Sequence, residues 1–76
     1  MNDDIRDQIA EAEREIASFQ AEMEAVSAEI KRLMAAEDPS AGVSHAGEIH
    51  AARQEKLRLE FEIKFRKGRI SRLRFG

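Results

Sequence analysis

The sequence predicts an all-α fold, an antiparallel two-helix coiled-coil hairpin, and three observations carry that prediction. The first half holds an uninterrupted heptad repeat. The single Pro and the first Gly stand together near the middle of the chain. Acidic residues dominate the first half and basic residues the second, as an antiparallel pair would require.

The heptad repeat runs through Ile5, Ile9, Ala12, Ile16, Phe19, Met23, Val26, Ile30 and Leu33, in alternating steps of four and three. A strict 3.5-residue repeat specifies a left-handed coiled-coil seam, because it keeps one narrow stripe facing one neighbour. No Gly or Pro falls between Ile5 and Glu37. Asn2 or Asp3 is placed to cap the N-terminus, and Asp3, Asp4 and Asp7 suit the positive end of the helix dipole. The first helix is therefore expected over residues 3–36, with Phe19 and Met23 as core.

The turn is expected over 37–44, where Glu37-Asp38-Pro39-Ser40-Ala41-Gly42-Val43-Ser44 breaks the pattern. Pro disfavours helix at the residue before it, and Gly permits a positive φ. Asp38 or Ser40 can cap a short turn, and Ser44 can cap the second helix. A connection this short makes the neighbouring helices antiparallel.

The second helix is expected over 45–74, and its apolar residues form two stripes. Ile49, Ala52, Leu59, Ile63, Ile70 and Leu73 share one side, interrupted by Lys56 and Arg66. Leu57, Phe61 and Phe65 lie at i, i+4, i+8 on another. Only one stripe can face the first helix, so the second is exposed or faces a further chain. A competing signal exists. Residues 57–65 alternate apolar and charged, which is the pattern of a strand, and 66–68 would turn into a second strand over 69–75. An isolated hairpin of strands is marginal in water. Helix-forming Glu, Lys, Arg and Leu and the length of the first helix favour the helical reading. Gly68 is a place where that helix could end early or loosen.

Charge is laid out on the same plan. Residues 1–38 hold eleven acids and four bases, and residues 39–76 four acids and nine bases. Antiparallel pairing lays the basic end, with Lys64, Arg66, Lys67, Arg69, Arg72 and Arg74, beside the acidic first turns. Each exposed pair contributes only about 0–1 kcal/mol, so the charges select orientation more than they stabilise it.

Function is constrained mostly by exclusion. With no Cys there is neither a disulfide nor a thiolate metal site, and a reducing compartment such as the cytoplasm is the expected setting. No apolar run approaches the ~20 residues that span a bilayer, and the acidic N-terminus lacks the features of a signal peptide. His45 and His50 are five apart, whereas a helical metal pair needs i, i+4 spacing. No Ser stands in a nucleophile elbow, and no Gly-rich loop can cradle a phosphate. The expectation is a non-enzymatic protein without cofactor, metal or small-molecule substrate.

A 76-residue chain lacking disulfides is marginal on one core, and oligomerisation is the usual remedy. The leading expectation is thus a protein–protein interaction module that homodimerises through Leu57, Phe61 and Phe65 into a four-helix bundle and binds a larger protein as an adaptor or inhibitor. In composition alone it is similar to small, highly charged helical phage-encoded modulators of host machinery. An inhibitor of a nucleic-acid site would use an acidic face of Asp7, Glu11, Glu15, Glu22 and Glu29. The alternative from another class is a nucleic-acid-associated protein using the basic segment 64–74, with Phe65 and Phe75 to stack on bases. Membrane-surface binding is disfavoured, because anionic lipid would repel the acidic helix.

Overall fold

A computed structural model describes residues 2–76, excluding the side chains of residues 2 and 3, so the expected caps Asn2 and Asp3 lie outside the described residues. Two helices make up nearly all of it. Helix α1 is Asn2–Ala36, a 3₁₀ turn covers Pro39–Ala41, and helix α2 is Ala46–Phe75. Every helix end lies within one residue of the position expected from the sequence. No strand occurs among the described residues beyond a single bridge pair in the turn, Asp38 with Val43.

The strand reading of 57–65 is overturned. Leu59 and Ile63 pack inward at helical spacing while Leu57, Phe61 and Phe65 remain outside, which burial on one long partner helix enforces and a flat ribbon would not. Nor does α2 break at Gly68. A long helix packed along its length tolerates one Gly at a cost of about 1 kcal/mol, and α2 continues to Phe75. Gly76 closes it, its N–H donating to the Arg72 carbonyl at 2.9 Å with φ 85°.

The turn is built by local hydrogen bonds. Asp38 caps the 3₁₀ segment, accepting from the Ser40 hydroxyl at 2.7 Å and the Ala41 N–H at 3.3 Å. Asp38 and Val43 exchange both backbone hydrogen bonds, at 3.0 and 2.8 Å. Gly42, at φ 72°, takes the left-handed conformation that an L side chain resists. Ser44 Oγ accepts from the Ala46 N–H at 3.3 Å, and the Glu37 carboxylate accepts the His45 N–H at 3.4 Å, tying the end of α1 to the start of α2.

The core is a single seam between the helices. Ala12, Ile16 and Leu33 from α1 and Ile49, Leu59 and Ile63 from α2 are buried, and Leu59 is 0% exposed. Phe19, Met23, Val26 and Ile30 are half-buried along the same line, as are Ala52, Ile70 and Leu73. The hairpin measures 63 × 16 × 12 Å with a radius of gyration of 17.7 Å, against roughly 11 Å for a globule of this length. Its accessible surface is 5691 Å², where a compact monomer of this mass would expose about 4,700 Å².

Candidate interaction surfaces

The stripe Leu57, Phe61, Phe65 stands fully outside the seam. These residues are 58%, 66% and 55% exposed. At 100° per residue the stripe is centred about 180° from the buried side of α2, so α1 has no means of covering it. Phe75, 85% exposed, lies on this same line, eighteen residues or five whole turns beyond Leu57. That spacing is present in the sequence but spans too far to register as a local pattern.

The basic segment divides. Arg66 is half-buried at the seam, where its Nε donates to Glu15 at 3.0 Å and its Nη1 to the Glu62 carboxylate at 2.9 Å. Its guanidinium lies over the Phe19 ring, 4.6 Å from the centroid. The hydrogen bond to Glu15, then the charges of Glu15 and Glu62, push the Arg66 pKa above its ordinary value. Arg66 thus interrupts the apolar stripe without leaving a charge unpaired. Arg74 approaches Glu13 at 3.8 Å and Arg69 donates to Gln8 at 3.5 Å. Lys64, Lys67 and Arg72 show no carboxylate partner among the described residues.

The acidic face divides as well. Asp7 and Glu22 are exposed, Glu11 pairs with Arg14 at 2.6 Å, Glu29 pairs with Arg32, and Glu15 turns inward to Arg66. The Arg32 pKa is raised, chiefly by its hydrogen bond to Glu29. Three of the five carboxylates therefore have a cationic partner.

On one side of the seam a shallow groove has Met23 and Ile63 as its floor and Lys31, Lys56, Lys64 and Lys67 at its edges, with Glu24 and Glu60 among them. The sequence does not reveal this grouping, because Lys31 comes from α1 and the three others from α2. At the turn, His45 Nδ1 meets Glu48 at 3.1 Å. No group of three His, Cys, Asp or Glu able to hold a metal is found among the described residues, and no helix there is long and apolar enough to cross a membrane. Compared with protein-family models, curated proteins and solved structures, the chain finds no match in any of the three.

Proposed function

We propose that the chain is a protein–protein interaction module whose principal binding surface is the outer face of α2, and that a second copy of the chain binds there. The observation that carries this reading is the exposure of Leu57, Phe61 and Phe65 on a rigid helix, in a row, on the side away from the core. Large apolar side chains in line, rather than scattered singly, mark association surfaces. The surface excess supports the same reading. It is about 1,000 Å² over a compact monomer, and a standard interface covers roughly 800 Å² per partner. Self-association brings four helices together and supplies the second core that a short chain needs. An adaptor or inhibitor role toward a larger protein would use the charged flanks that remain.

The nucleic-acid reading has less support. Arg66 and Arg74, two of the six cations in 64–74, already face Glu15 and Glu13, so the field of the cluster is partly cancelled at source.

Light scattering on the eluting peak from gel filtration tests the proposal, with refractive index for concentration because the chain lacks Trp and Tyr. The expected mass is at least twice the 8.6 kDa of the chain, and Phe61→Glu should return it to 8.6 kDa with helicity retained. A wild-type chain that remains at 8.6 kDa at high concentration would refute self-association.

A further inference from the structure

The outer face of α1 is built as the counterpart of the outer face of α2. Ala17, Ser18, Ala21, Ala25 and Ala28 occupy the side of α1 turned about 180° from its seam, and all five are exposed. They cover about 16 Å of helix, against about 12 Å from Leu57 to Phe65. Small residues let another helix come close, and large ones on that helix fill the space between them.

Register adds a second correspondence. The contacts of Arg66 with Glu15 and of the His45 N–H with the Glu37 carboxylate fix how the two helices run past each other. Interpolating between them, Phe61 is about level with Ala21, Phe65 with Ala17 and Leu57 with Ala25. Within one hairpin these pairs stand on opposite edges. A second hairpin laid alongside at the same level brings each aromatic or Leu side chain of one copy against an Ala of the next.

Charge adds a third. In sequence, α1 carries nine acids and four bases, and α2 four acids and nine bases. Packing α2 on α2 would set a net +5 against +5, and α1 on α1 a net −5 against −5. Packing α2 on α1 opposes unlike charges, and like-charge juxtaposition is what suppresses wrong pairings.

From these three correspondences we infer that copies of this chain associate head to tail, the Leu57/Phe61/Phe65 face of α2 seating on the Ala17/Ala21/Ala25 face of α1 of the next copy. This rests on the self-association proposed above and names the surface that receives it. The helices then alternate in direction across a layer rather than closing a square bundle. Because the two faces differ and lie on opposite edges, every added copy presents a fresh acceptor or donor, so growth continues unless a ring closes.

Two variants separate the faces. Phe61→Glu removes the donor face and keeps the acceptor; the double variant Ala21→Arg with Ala25→Arg does the reverse. All three positions are exposed on helices, and far-UV circular dichroism verifies folding; Phe65→Glu serves if Phe61→Glu is misfolded. Each variant alone should elute at 8.6 kDa, and an equimolar mixture should yield a 1:1 complex of twice that mass that does not grow further. If the Ala21/Ala25 variant assembles as wild type does, or the mixture stays monomeric, head-to-tail pairing is overturned while self-association through α2 stands. If the wild type itself is a monomer, both fall together.

Discussion

Leu59 and Leu57 are two residues apart on one helix and do opposite things. Leu59 is 0% exposed in the seam, and Leu57 is 58% exposed on the outer edge. Truncating Leu59 to Ala should cost about 2–5 kcal/mol, the usual range for a buried Leu that leaves a cavity. Leu57→Ala, measured in dilute monomer, should stay within about 0.5 kcal/mol of wild type. Urea unfolding followed by circular dichroism reads both, and equal losses would mean that the seam has been misassigned. Asp38 offers a pH test at the same scale. The Ser40 hydroxyl, and after it the Ala41 N–H, hold its carboxyl below the ordinary Asp value. A depressed folded-state pKa contributes stability that is fully present above the unfolded pKa, about 3.9, and lost as pH falls through the folded value. Glu55, lowered by its hydrogen bond to Arg58, acts in the same direction. Ser40→Ala should therefore lower the melting temperature near neutral pH and leave it nearly unchanged at strongly acid pH. An equal drop at both would assign the Ser40 contribution to something other than the Asp38 charge.

Among the elements, α1 is the more legible in sequence. Its heptad repeat has no competitor, because apolar residues on its second face are all Ala and do not confuse the period. Helix α2 carries large apolar residues on both sides, and two superposed stripes over 57–65 mimic the alternation of a strand. Local pattern does not separate these readings. The length of α1 and the composition of 48–58 do, since a long helix demands a long partner. Gly68 shows how far tertiary packing overrides propensity. A Cβ built there would meet nothing closer than the Arg72 Nη1, at 3.5 Å, an ordinary contact. Gly68→Ala should thus raise stability by about 1 kcal/mol through the helix propensity alone. A loss in thermal or urea unfolding would show that α2 needs the flexibility of Gly68.

At the scale of the whole molecule, the hairpin is long, thin and poor in core. Among the described residues six hydrophobic side chains are buried, and the surface exceeds that of a compact monomer by about 1,000 Å². A binding partner specific for the folded state stabilises it by mass action. With the chain as its own partner, the melting temperature should rise with protein concentration, and Phe61→Glu should abolish that dependence. A concentration-independent midpoint for wild type would count against self-association during unfolding.

Periodicity, composition and charge order, all local or additive properties of the chain, were enough to determine two antiparallel helices, the position of the turn and the existence of an outer Leu57/Phe61/Phe65 stripe. The tertiary structure alone decided which charges pair. Arg66 is drawn into the seam between Glu15 and Glu62 while Lys64 and Lys67 edge a groove, a partition set by side-chain angle about a packed helix. It also decided the level of one helix against the other, and with it the match of Phe61 to Ala21. That level depends on the turn geometry around Asp38 and Gly42 and on how the seam side chains interlock, neither of which a one-dimensional pattern contains.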